Sequence, residues 1–115
     1  MSIKIYHNPR CSKSRQTLQL LEDNNVKPEI VEYLKTPPSR EELEQVLDML
    51  GLAPRELMRT REKEYKELEL GNPNLGHDEL ITAMLENPRL IERPIVIKNG
   101  KAVIGRPPEQ VLEIL

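Results

Sequence analysis

Apolar positions recur along the chain in two rhythms, and the switches between them mark the elements. Ile3 and Ile5 flank Lys4 ahead of Tyr6, which predicts a short strand over 3–6. From Ser12 to about Asn24 the rhythm is helical, with Leu18, Leu21 and Leu20 inward and Asn24-Asn25 as its end. Ile30-Val31-Glu32-Tyr33-Leu34 reads as a second strand. Strand, helix and strand within about thirty residues imply two parallel strands joined by a right-handed crossover.

Thr36-Pro37-Pro38 stops that strand, and a well-marked helix follows. Ser39 and Glu42 have the spacing of a capping box, Leu43, Val46, Leu47 and Leu50 form the apolar stripe, and Gly51 closes it. Pro54 to Leu70 reads as a polar helix with Leu57, Met58, Tyr65, Leu68 and Leu70 as its apolar points. After a loop over 71–76, His77-Asp78-Glu79 opens a helix through Leu80, Ile81, Met84 and Leu85 that stops before Pro88. Pro94 to Ile97 is the third strand, Asn99-Gly100 a hairpin turn, and Ala102 to Ile104 the return strand. Gly105-Arg106-Pro107-Pro108 leads into a last helix with Val111, Leu112, Ile114 and Leu115 on its apolar side.

The order is therefore βαβ, a helical block over about 39–87, then ββα. This is the pattern of an α/β, thioredoxin-like mixed four-stranded sheet with a helical insertion, in a single domain spanning 1–115. Such a fold sets a residue at the start of its first helix against a proline entering the third strand. Here these are Cys11 and Pro94, and a proline in that place is expected to be cis.

Composition narrows the functions. The 115 residues are 31% charged and 37% hydrophobic, with neither Phe nor Trp, so the core must be built from Leu, Ile, Val and Met. A net charge of −2 argues against general nucleic-acid binding, and any basic patch must be local. No apolar run is long enough to span a membrane and the first residues lack a signal peptide's apolar stretch. A single cysteine allows no internal disulfide, so a reducing cytoplasm is the expected home. Two histidines and one cysteine do not compose a zinc set, and no metal is expected.

That cysteine follows Asn8-Pro9-Arg10 at the junction of strand and helix. Unpaired N–H groups and the positive end of the helix dipole collect there and favour an anion, whether a thiolate or a bound oxyanion. Lowering a thiol pKa from about 8.5 to about 6.5 raises its ionised share at neutral pH from roughly 3% to roughly 75%. Arg10, Lys13 and Arg15 lie within four residues, His7 sits four before, and Ser14 stands where dithiol relatives of the fold have a second cysteine. Three further arginines lie at element boundaries: Arg59, Arg93 beside Pro94, and Arg106 before Pro107. Guanidinium stays charged and grips a tetrahedral oxyanion through two donors, as lysine cannot.

The stretches Tyr6-His7-Asn8-Pro9-x-Cys11-x-x-Ser14-Arg15, Tyr33-Leu34-x-Thr36-Pro37-Pro38, Leu57-Met58-Arg59, Arg93-Pro94-Ile95-Val96 and Arg106-Pro107-x-Glu109-x-Val111-Leu112 together resemble the glutaredoxin-linked arsenate reductase family. The resemblance runs through nearly the whole chain. Ser12-Lys13 stands where the best-known members have Gly-Thr, a variant similar to the family's chromosomal branch. It implies Cys11 as nucleophile, His7 as an aid to keeping the thiol ionised, and Arg59, Arg93 and Arg106 as oxyanion ligands. Lys13, Ser14, Arg15 and Pro94 would support them. It also implies glutathione as co-substrate and glutaredoxin as partner, with no tightly bound cofactor and a monomeric enzyme. Two other readings stay open: a glutathione-dependent thiol transferase acting through Cys11, and a non-enzymatic regulator that binds RNA polymerase.

Overall fold

A computed structural model describes residues 3–115. The alternation at the start becomes β1 (Ile3–Tyr6), and the helical rhythm becomes α1 (Ser12–Asp23), followed by β2 (Glu29–Val31). After the middle of the chain come β3 (Ile95–Lys98) and β4 (Lys101–Ile104). Among the described residues these four strands form one mixed sheet in the order β2-β1-β3-β4. β1 is parallel to β2 and antiparallel to β3, with Ile5 opposite Val96. The β3–β4 turn places Asn99 at φ 51 and Gly100 at φ 76, the paired positive values that a tight hairpin turn demands.

The chain forms two compact units, the first running up to Thr36 and resuming over Arg93–Leu115, the second being Pro37–Glu92. In the first, Ile5, Leu21, Val96 and Val111 make a fully buried core, with Ile3, Leu18, Leu20, Val26, Val103 and Ile114 packed on it. α1 buries Ser14, Thr17 and Leu21, so its inward face is polar towards the N-terminus and apolar towards the C-terminus. β2 is shorter than the apolar run suggested, because Lys35 and Thr36 N–H groups turn back to the Glu32 carbonyl. Within that turn Tyr33 is buried and Leu34 is left exposed. The final segment, Pro108–Ile114, is a 3₁₀ helix, not the expected α-helix. Its three-residue period buries Pro108 and Val111 and half-buries Ile114, which leaves Leu112 and Leu115 exposed.

The second unit contains α2 (Arg40–Leu50), whose capping box between Ser39 and Glu42 is formed and whose cap Gly51 is left-handed. A continuous helix over 54–70 is not formed. A 3₁₀ turn over Pro54–Leu57 is followed by an isolated β-bridge between Met58 and Ile91 and then by α3 (Lys63–Glu67). The Arg59 N–H donates to the Leu90 carbonyl and Glu92 N–H to the Leu57 carbonyl, so backbone groups that a helix would use internally pair with a distant segment instead. α4 (His77–Glu86) buries Leu80, Ile81, Ala83 and Met84 and packs against α2. No helix among the described residues is long and apolar enough to cross a membrane.

Candidate active site

The loop that carries the cysteine is built by its own sequence. Asn8-Pro9-Arg10-Cys11 closes a turn in which the Cys11 N–H donates to the Asn8 carbonyl over 3.0 Å. The Asn8 side chain accepts from the Arg10 N–H at 3.0 Å, the local bond for which asparagine is suited. Arg15 reaches back from the first turn of α1 and donates to the Pro9 carbonyl at 2.9 Å, tying the loop to the helix. Cys11 is thereby held as the N-cap residue of α1, in extended conformation.

Cys11 is 8% exposed, yet its surroundings are polar. Burial pushes the thiol up, while the Ser14 N–H, the Arg93 charge, the Lys13 N–H and the Arg106 charge pull it down. The net result lies below the ordinary thiol value. The Nη2 of Arg106 donates to the sulfur at 3.8 Å, and its Nε donates to the Arg93 carbonyl at 2.9 Å. Nε and Nη1 of Arg93 are closed off from solvent. Arg93 and Arg106 thus converge with Cys11 although they come from opposite ends of the terminal hairpin. Both arginines precede prolines, and the Arg93–Pro94 and Arg106–Pro107 bonds are both cis.

His7 is buried, and its Nδ1 lies 2.6 Å from the Ser14 hydroxyl. The same hydroxyl accepts from the Asn8 N–H at 3.0 Å, which leaves its hydrogen for Nδ1. Burial lowers the His7 pKa most, Glu32 opposes it and Arg15 adds to it, so the ring is held neutral. Ser14 therefore serves the sulfur through its main-chain N–H, with its hydroxyl directed to His7. The Lys13 side chain is exposed, and this residue too acts on the thiol through its backbone. His7 to Arg10 also line a cleft of ≈ 310 Å³ with Glu32, Leu34 and Lys35.

Arg59 belongs to the second unit. There its guanidinium is 2.5 Å from the Glu62 carboxylate and 3.9 Å from that of Glu92. His77 begins α4 and pairs with Glu44, with Asp78 close to both. Sequence reasoning did not single out Thr17, a fully buried polar residue on the face of α1 that also carries Ser14. Apolar periodicity has no means of marking it.

The family description "ArsC family" matches residues 6–114. This chain belongs to the ArsC family. Among its relatives is the uncharacterized protein YfgD of Escherichia coli K12, 60% identical over 98% of this chain and 96% of YfgD. An arsenate reductase of Neisseria meningitidis is 53% identical over 98% of this chain and 97% of its own length. The solved structure of an arsenate reductase from Vibrio cholerae superposes with a TM-score of 0.97 at 58% identity, covering 100% of this chain and 98% of that one. These ArsC similarities agree with the mixed α/β sheet described above and with its thioredoxin-like order of strands.

Proposed function

We propose that this ArsC chain is an arsenate reductase in which Cys11 is the nucleophile and glutathione and glutaredoxin supply the reducing thiols. The thiolate attacks arsenic, an S–As bond forms, and one oxygen leaves as water with protons from solvent. A glutathione thiol then displaces a second oxygen as water. The glutaredoxin thiolate attacks the glutathione sulfur, the S–As bond to glutathione breaks, and its electron pair stays on arsenic. Arsenic passes from As(V) to As(III), and the two oxidised sulfurs leave as a mixed disulfide. Water releases arsenite and Cys11 is regenerated. A lone cysteine needs this external route, because two electrons require a second sulfur.

One observation carries the reading: the Arg106 guanidinium stands 3.8 Å from a thiol that Arg93 also helps to ionise. The same two cations suit a dianion held for attack by that sulfur. Arg59 is the third oxyanion ligand on the strength of the family resemblance. His7 holds Ser14, whose N–H serves the sulfur. Phosphate, alike in shape and charge, acts as a competitor that a thiol does not reduce. The similarity to the Neisseria and Vibrio arsenate reductases supports the choice of arsenic as the attacked atom.

Arsenate-dependent NADPH oxidation, coupled through glutathione, glutaredoxin and glutathione reductase, tests the proposal. The wild type turns over and Cys11→Ser abolishes turnover while keeping its circular dichroism spectrum. Arsenate turnover by Cys11→Ser, or wild-type activity on a disulfide substrate with none on arsenate, overturns it.

A further inference from the structure

The end of β4 meets α1 with no space left between them. Gly105 is buried, and its N–H donates to the Pro94 carbonyl at 2.9 Å. A Cβ placed there would lie 2.6 Å from Thr17 Oγ1, 3.1 Å from Thr17 Cγ2 and 2.9 Å from Pro94 Cγ. The φ of Gly105 is not positive, so space and not backbone conformation calls for glycine.

Neither neighbour yields readily. Thr17 is fully buried and β-branched, and its Oγ1 donates to the Lys13 carbonyl at 2.8 Å, with the Gly105 carbonyl 3.5 Å away. Pro94 presents a ring. An added methyl group must therefore displace the main chain at 105, and the next residue is Arg106, whose Nη2 donates to the Cys11 sulfur. Cys11, Ser14 and Thr17 lie at three-residue intervals, so they share the buried face of α1. The Thr17 contact is thus fixed to the sulfur by a rigid rod about 9 Å long.

We propose that Gly105 and Thr17 are positioning residues: their contact sets how near the Arg106 guanidinium comes to the Cys11 sulfur, and so how reactive that sulfur is. The link to arsenate turnover rests on the function proposed above; the link to thiol reactivity does not. A cation moved outward stabilises the thiolate less, and the thiol ionises at higher pH.

The test is the pH profile of Cys11 alkylation by iodoacetamide in folded protein. Gly105→Ala shifts the profile to higher pH and slows alkylation below its midpoint about three- to ten-fold. Thr17→Ala, which opens space and introduces no clash, shifts it less in the same direction. Combining the two brings the profile back towards wild type, because the missing threonine makes room for the methyl group. Each single shift disappears in an Arg106→Ala background, since the cation being placed is gone. Folded Gly105→Ala or Thr17→Ala with the wild-type profile overturns the proposal. So does an unchanged profile for Arg106→Ala, or a shift that persists in full without Arg106. If Gly105→Ala does not fold, Thr17→Ala alone and with Arg106→Ala decides. Arsenate turnover by Cys11→Ser would sink the functional reading and leave these profiles to judge the positioning on their own.

Discussion

At Cys11 two opposed effects meet, and their sizes decide the chemistry. Burial alone would raise the thiol pKa, yet two backbone N–H groups and two guanidinium charges bring it below the ordinary value. His7 shows the reverse balance, since burial outweighs the one carboxylate that would charge it. Its folded pKa lies below 6.5, so as the pH falls the unfolded chain takes the proton first. The stability that neutral His7 contributes is complete above about pH 6.5 and is lost as the pH falls from there through the folded midpoint. Thermal melts between about pH 7.5 and pH 5 should show the wild type losing stability more steeply than His7→Gln. Parallel slopes for the two proteins would refute this. The sequence marked Cys11, His7 and Ser14 as a group through their spacing. It offered Ser14 only as a supporting residue; the structure directs its hydroxyl to His7, because a buried ring nitrogen has a claim on the nearest donor.

Among the elements, those with local signals were legible and those stabilised from afar were not. The capping box of α2 and the Asn99-Gly100 turn are each written within four residues and form as read. Removing the cap hydroxyl by Ser39→Ala should cost about 1 kcal/mol and lower the urea midpoint without changing the slope of the transition. An unchanged midpoint would mean that the cap is redundant. The stretch over 54–70 misled because apolar spacing there permits a helix, while pairing of Met58, Arg59 and Leu57 with 90–92 takes the backbone groups first. The last segment misled for a different reason. Its apolar residues fit both an α and a 3₁₀ period, and packing of Val111 on the sheet core selects the tighter one.

On the scale of the whole molecule, the sheet unit joins the two ends of the chain around a small aliphatic core. Ile5 lies on an interior strand and is fully buried opposite Val96. Ile5→Ala should destabilise the protein by about 2–5 kcal/mol, read from guanidinium unfolding. A loss under about 1 kcal/mol would show that the core relaxes around the cavity. The same sheet brings Arg93 and Arg106 to the cysteine, so weakening it should also slow Cys11 alkylation before the fold is lost.

What the sequence determined by itself is whatever depends on neighbours a few residues away. This covers the strand-to-helix junction at Cys11, the turn that Asn8-Pro9 begins, the hairpin, the caps, and the absence of a second sulfur. What only the tertiary structure decided is the company the sulfur keeps. Arg106 is 95 residues from Cys11 along the chain, and Gly105 is 88 from Thr17. No local preference encodes such distances; they follow from strand register, from the close fit of β4 against α1, and from the burial that makes each nearby charge count.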